Sequence, residues 1–333
     1  MKILRLIPAA MLSLGLVACG QSSGPSVSSV STTATTPVTT APTAAPAAPS
    51  KQVGLVMKTL TNPFFIEMEK GARRAEKEMT LTLQVKTAAQ ETSIEQQIQL
   101  VEDLIAAKVD AIVIAPGDSQ RLVPTLKKAA DAGIKLVNID NRLDPATVKQ
   151  AGLSPVPFVS VDNDAGAYKA GKFLADSVNS PTQVAILEGI RSADNARLRM
   201  EGAKRALLEN KQIKLVASET ANWKIDEAYK VTKAMFTKHP QIKLLFAAND
   251  MMALGAAKYL LDTGKKDVKV AGYDALSEAV TEIKAGNLAA TVDQQAAEQG
   301  YQGVALAVRL IKGETVPENT VIETRLITAA EAK

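Results

Sequence analysis

From position 51 onward the chain alternates between two patterns of apolar and polar residues. Short runs rich in Val, Ile and Leu recur: "VGLVM" (53–57), "LTLQVKT" (81–87), "AIVIA" (111–115), "IKLVNI" (134–139) and "FVSV" (158–161), then "QVAIL" (183–187), "IKLVA" (213–217), "IKLLFA" (242–247), "VKVAG" (268–272), "LAATV" (288–292) and "VIETRLI" (321–327). Their length and β-branched content predict strands. Between them the apolar positions fall three and four apart, as in Phe65, Met68, Ala72, Ala75 and Met79, or Ile94, Ile98, Val101 and Ile105. That spacing predicts helices with one buried face. Repeated strand-helix-strand predicts an α/β fold of parallel sheets flanked by helices. About eleven strands is many for one open sheet, so two similar lobes are expected. No repeat of 20 to 50 residues points to a solenoid.

The first fifty residues follow neither pattern. Lys2 and Arg5 precede an apolar run from Ile7 to Val17, which ends in "LVAC" (16–19). This is the layout of an export signal, and the run is too short for a membrane span. From Gly20 to Ser50 the chain is largely Ser, Thr, Ala and Pro without a charge, a composition that cannot bury a core. It is expected to be a disordered tether. Composition adds little beyond this: 46% apolar and 22% charged residues are ordinary for a globular protein. Loss of Lys2 and Arg5 with the signal would take the formal charge from +4 to +2, too little to argue for nucleic acid. Cys19 is the only cysteine, so the folded part is expected to hold together by burial without a disulfide.

In open α/β sheets ligands gather beyond the carboxyl ends of strands, where loops converge and helix N-termini present free N–H groups. Polar and aromatic residues follow almost every apolar run here. Lys58, Asn62, Phe64 and Phe65 come after the first, and Asp140, Asn141 and Arg142 after the fourth. Later runs are followed by Glu188 and Asn195, Arg197, Trp223, Asn249 and Asp250, Asp274, and Gln294. Asn62 and Pro63 also suit the start of a helix. Of neighbouring pairs, Arg197 is expected at the site and Arg199 on a solvated helix face; Asp250 is expected to cap a helix, which leaves Asn249 for ligand. The inventory of carboxylates, amides, basic groups and aromatic rings suits a neutral polyol: hydroxyls donate and accept, and ring faces cover the apolar side of a sugar.

Catalytic chemistry is poorly supplied. His239 is the only histidine and precedes Pro240 at an expected helix end, so Ser-His-Asp, Cys-His and zinc sites lack parts. No metal site and no cofactor are expected. "GAYKAGK" (166–172) has the spacing of a phosphate loop, but Phe173 stands where Ser or Thr is required, and the segment reads as a helix. The expected role is binding without catalysis.

"TLTNPFF" (59–65), "LVNID" (136–140), "NARLRMEG" (195–202), "AANDMMALGA" (247–256), "VAGYDAL" (270–276) and "NLAATVDQ" (287–294), in this order, resemble the periplasmic sugar-binding proteins of the ribose- and allose-binding type. "LVAC" resembles the lipobox of bacterial lipoproteins, in which the cysteine is lipidated. The resemblance runs from Lys51 to Thr328. It implies a periplasmic binding protein type I fold, shared with lactose-type repressor cores: two Rossmann-like lobes joined by a three-segment hinge, with the sugar gripped between them. It implies a monomer, lipid-anchored through Cys19 at the outer face of the cytoplasmic membrane or in the periplasm, that delivers a monosaccharide to the permease of an ABC transporter.

The binding positions so implied are Asn62, Phe64, Phe65 and Asp140 on the first lobe. On the second they are Arg197, Trp223, Asn249, Asp274 and, near the hinge, Gln294. Residues 51–160 and 295–320 form the expected first lobe, and 161–294 with 321–330 the second, after a signal over 1–19 and a tether over 20–50. Lys58 stands where the ribose type has a small polar residue, and "MKTLTNPFF" with "LVNIDNRLD" resemble allose-binding members more closely. That favours an aldohexose such as allose over ribose, although the lysine could instead pair with a carboxylate. Alternatives in the same frame are a sugar sensor serving a chemoreceptor or kinase and a regulator core. The latter would need a DNA-binding headpiece where the signal and tether lie.

Overall fold

The computed structural model describes residues 50–332; the expected signal, Cys19 and all of the tether but Ser50 lie outside them. The first half of the fold runs β1 (Lys51–Met57), α1 (Pro63–Met79), β2 (Leu81–Thr87), α2 (Ile94–Ala106), β3 (Ala111–Ile114), α3 (Val123–Asp131), β4 (Lys135–Ile139), α4 (Pro145–Gln150) and β5 (Phe158–Val161). The second half repeats this plan as α5 (Asn163–Asp176), β6 (Thr182–Glu188), α6 (Asp194–Glu209), β7 (Ile213–Thr220), α7 (Ile225–Lys238), β8 (Ile242–Ala247), α8 (Asp250–Asp262), β9 (Lys269–Ala271), α9 (Ser277–Lys284) and β10 (Ala290–Asp293). The chain finishes with α10 (Ala296–Ile311), β11 (Asn319–Ile322) and β12 (Arg325–Thr328).

The strands form two six-stranded sheets, in the orders β11-β5-β4-β3-β1-β2 and β12-β10-β9-β8-β6-β7. Both sheets place the first strand of their series between the second and the third, so each lobe has a topological switch point beside its leading strand. All pairings in the first sheet are parallel; in the second, β12 alone runs antiparallel, against β10. The central strands read as unbroken apolar runs because helices cover both faces. In β1, for instance, Leu55 and Met57 belong to a core shared with Met68 of α1 and Val304 of α10, whereas Val56 joins Val101, Ile112 and Leu126 on the opposite face.

The run "VIETRLI" is not one strand. Val321 and Ile322 end β11 in the first sheet, and β12 opens at Arg325 in the second, so the third crossing falls at Glu323 and Thr324. The expected boundary between 320 and 321 lies inside β11. The other crossings lie between β5 and α5 and between β10 and α10.

"GAYKAGK" lies within α5, as its sequence suggests. Its glycines serve packing: a Cβ on Gly171 would meet the Ala203 carbonyl oxygen of α6 at 2.8 Å, and one on Gly166 would meet the Tyr273 hydroxyl at 2.3 Å. His239 follows α7, its backbone N–H closing the last turn on the Met235 carbonyl at 2.7 Å.

Candidate functional site

Strand ends of both lobes face each other across a cleft whose space is about 230 Å³. Lys58, Asn62, Phe64, Phe65, Glu91 and Asp140 line it from the first lobe; Asn195, Arg199, Trp223, Asn249, Asp274 and Gln294 line it from the second. Nine of the ten residues singled out in the sequence are therefore together here. A larger groove of about 980 Å³ lies beside α4, lined by Leu143, Val148, Pro155 and Phe158. Its one carboxylate, Glu318, precedes a strand instead of following one, and it does not join the two lobes.

On the first lobe, Asn62 caps α1 by accepting from the Phe64 amide at 3.1 Å, and Pro63 takes the first helical position. The cap fixes where Phe64 and Phe65 emerge. Their rings meet edge to face, with centroids 5.0 Å apart, and both are buried. Phe65 therefore serves the core and the cavity wall together. Lys58 sits 2.8 Å from Asp140 Oδ2 and 5.6 Å from the centre of the Phe65 ring. The lysine thus does pair with a carboxylate.

On the second lobe Arg199 is the organising group. Its Nε donates to Asn163 Oδ1 at 2.8 Å, Nη1 to the Ala248 carbonyl at 3.0 Å and Asp274 Oδ1 at 3.4 Å, and Nη2 to Gln294 Oε1 at 3.1 Å. The guanidinium lies 3.9 Å from the centre of the Tyr273 ring and 5.6 Å from that of Trp223. Gln294 donates to Asp274 at 2.6 Å, and Gln299 of α10 donates to Gln294 in turn at 3.1 Å. The network thus reaches the hinge. Arg197 does not take part: it is half-exposed and pairs with Asp194 and Glu201 along its own helix. Two residues on a helix differ by about 200° in direction, so only one of the arginines can face the cleft.

The cap of α8 also falls one residue earlier than expected, on Asn249 instead of Asp250. Asn249 caps α8 by accepting from the Met252 amide at 2.9 Å while still lining the cavity. Asp250, fully buried, accepts from the Thr291 hydroxyl at 2.7 Å and the Leu276 amide at 2.9 Å. A Cβ on Gly272 would meet its Oδ1 at 2.1 Å, so only glycine leaves room there.

Three of the lining residues hold backbone conformations with positive φ: Asp140 (62°), Trp223 (67°) and Asp274 (121°). Such residues cost about 1–3 kcal/mol each and collect at functional sites. Here each turns a strand-end loop so that its side chain enters the cleft. The Trp223 ring packs against Gly189, where a Cβ would come within 2.1 Å of it.

The cleft is closed. α6 has no side-chain cap of its own, and its first amides are instead satisfied from the other lobe: Asp194 N donates to Ser119 Oγ at 3.0 Å and Asn195 N to Asn141 Oδ1 at 3.1 Å. Asn195 Nδ2 reaches Asp140 Oδ1 at 3.4 Å. Within this closed space the Trp223 Nε1–H and Asn195 Oδ1 are buried without a protein partner. Buried polar atoms are ordinarily paired, so these two mark where a polar ligand would bond.

Burial raises the buried acids at and behind the site. It holds the Asp274 carboxyl well above the usual range, with Arg199 opposing, and it raises Glu91, with Lys58 and the Asn62 amide opposing. Asp250 is pushed up to about 7 by burial, against its hydrogen bonds. Glu91, Asn195 and Arg199 were not among the residues expected to bind. Glu91 follows β2, so the strand-end rule that found the others applied to it equally.

The chain is similar to known proteins. The periplasmic binding protein domain family matches residues 53–315. A D-ribose/D-allose-binding protein of Pseudomonas aeruginosa is 42% identical over 286 residues, 84% of this chain and 89% of that protein. The D-allose-binding periplasmic protein of Escherichia coli is 35% identical over 279 residues, 83% of this chain and 90% of that one. A crystal structure of an ABC transporter periplasmic solute-binding protein from Actinobacillus succinogenes with bound D-allose superimposes with a TM-score of 0.80 at 38% identity, covering 85% of this chain and 99% of that chain.

Proposed function

Because the chain belongs to the periplasmic binding protein domain family, we propose that its cleft captures a monosaccharide and presents it to the permease of an ABC transporter. The observation that carries this reading is the enclosure of hydrogen-bonding groups from both lobes, with aromatic rings on either side, around a space of about 230 Å³. Ion-paired carboxylates and amides can each bridge neighbouring hydroxyls, while Phe64, Phe65 and Trp223 cover ring C–H groups. A ligand that bonds both lobes favours the closed form, since half of those bonds exist only there. A wrong epimer leaves a buried group unpaired, at about 1–3 kcal/mol each.

An aldohexose such as allose is the favoured ligand and ribose the next, in keeping with the relatives from Pseudomonas and Escherichia. In this reading the chain works as a monomer, alters no bond of the sugar, and is held to the membrane by a lipid on Cys19. No helix among the described residues is long and apolar enough to cross a membrane. Isothermal titration with allose, ribose, glucose and myo-inositol tests the proposal. One-to-one binding of allose with recovery of unchanged sugar is expected; absence of heat and of a thermal shift with every sugar would refute it.

A further inference from the structure

The cavity holds three acids and two bases. Lys58 lies on Asp140 at 2.8 Å and Arg199 on Asp274 at 3.4 Å, so each basic side chain already has its carboxylate. Glu91 is the acid left over. Its Oε1 accepts from Asn62 Nδ2 at 2.8 Å, its only hydrogen bond among the described residues, and the residue is 7% exposed. A carboxyl group that makes one hydrogen bond keeps bonding capacity for a ligand, and burial raises its pKa.

Position adds a second argument. Glu91, Asn62 and Trp223 are shared between the enclosed cavity and an outer cleft lined by Thr61, Gln90, Lys224 and Asp226. A substituent that projects from a bound ring toward the outer cleft would meet Glu91. A primary hydroxyl both donates and accepts, and satisfies the Glu91 carboxyl group whether or not that group carries its proton.

Resting on the sugar reading above, we propose that Glu91 bonds the exocyclic hydroxymethyl group of the ligand and thereby sets a preference for an aldohexose over the aldopentose with the same ring. This moves the hexose determinant from Lys58 to a residue on the neighbouring strand-end loop. The aldopentose leaves Glu91 as it stands, with Asn62 alone.

D-Allose, 6-deoxy-D-allose and D-ribose test this cleanly, because their pyranose rings share configuration and differ at C5, which carries CH2OH, CH3 or H. Calorimetric titration of the wild type is expected to show allose binding roughly ten- to hundredfold more tightly than 6-deoxyallose. Glu91→Ala should weaken allose by a similar factor and the other two by less than about threefold, which erases the preference. Glu91→Gln, which retains a donor and an acceptor, should keep part of it. Equal losses for all three sugars would overturn the inference and make Glu91 a support for Asn62; so would unchanged allose affinity. If the variants fail to fold, the wild-type ratio of allose to 6-deoxyallose still decides, and a ratio near one is fatal. Wild-type protein that binds neither these three nor glucose nor myo-inositol overturns the sugar reading itself, whereas binding without a hydroxymethyl preference overturns this inference alone.

Discussion

The two lobes share one strand order, yet they equip the cleft in different ways. On the second lobe Arg199 spends four of its donor contacts on protein, to Asn163, Ala248, Asp274 and Gln294, over the face of Tyr273. On the first lobe Lys58 has one carboxylate partner, Asp140, and an ammonium has three donors. The second half is therefore wired in advance, and the first half keeps donors in reserve for a ligand. A planar fork that finds several fixed acceptors orders its surroundings, whereas a point charge on a flexible stem pairs and remains available. Similar folds thus yield a rigid jaw and an adaptable one.

The largest effect should come from breaking the rigid jaw. Arg199→Met leaves Asp274 buried without its cation and Gln294 without its donor, a loss of about 3–5 kcal/mol, and should lower the ligand-free melting temperature by on the order of 10 °C. Lys58→Met should lower it by less than about 3 °C, because water can reach Asp140 in an open cleft, while weakening sugar binding roughly ten- to hundredfold. Differential scanning fluorimetry beside calorimetry separates the two patterns. Equal melting losses would show that the lobes do not differ in this way.

A subtler effect concerns what lies behind the rigid jaw. The Asp250 carboxyl stands at about 7 in the folded chain against an ordinary 3.8. Below pH 3.8 the group is protonated in both states and costs nothing; between there and 7 the unfolded chain ionises first; above 7 the full cost of burying a charge is present. This group therefore withdraws stability as pH rises through that window. Asp250→Asn should flatten the fall in melting temperature between pH 5 and 8, and a slope identical to wild type would place the buried charge elsewhere. Asp274 titrates in the same sense, so some slope should remain.

The smallest effect is expected at Arg197. Its partners Asp194 and Glu201 lie on the surface of the same helix, and such pairs contribute about 0.3–0.5 kcal/mol. Arg197→Ala should leave sugar affinity unchanged and move the melting temperature by no more than about 2 °C. A large loss of affinity would reverse the assignment of the two arginines.

That assignment was within reach of the sequence. The buried residues of α6 include Ala196, Arg199, Gly202, Ala203 and Ala206, a stripe at three- and four-residue spacing that contains Arg199 and not Arg197. Chemistry pointed to an arginine, and helical phase would have chosen between the two. Glu91 was equally legible: it lies four positions past the end of β2, closer to its strand than Asn62 lies to β1. Asn249 and Asp250 both suit a helix start, and capping preferences do not separate them. Strand-to-sheet membership is harder still. "VIETRLI" looks like one strand because nothing local records that Glu323 and Thr324 carry the chain from one lobe to the other.

The sequence by itself determined the alternation of strands and helices, because short unbroken apolar runs and a 3.6-residue apolar period are written directly in it, and with it the end of each sheet at which polar groups collect. It also determined that Asn62 would start a helix at Phe64 and Phe65, a matter of capping within four residues. Only the tertiary structure decided which arginine enters the cleft, that Lys58 is held by Asp140, that α6 takes its caps from the opposite lobe, and that Glu91 lacks a cation. Each of those depends on distances between segments remote along the chain, and pairing across space is fixed by how two lobes pack and close, which no local pattern encodes.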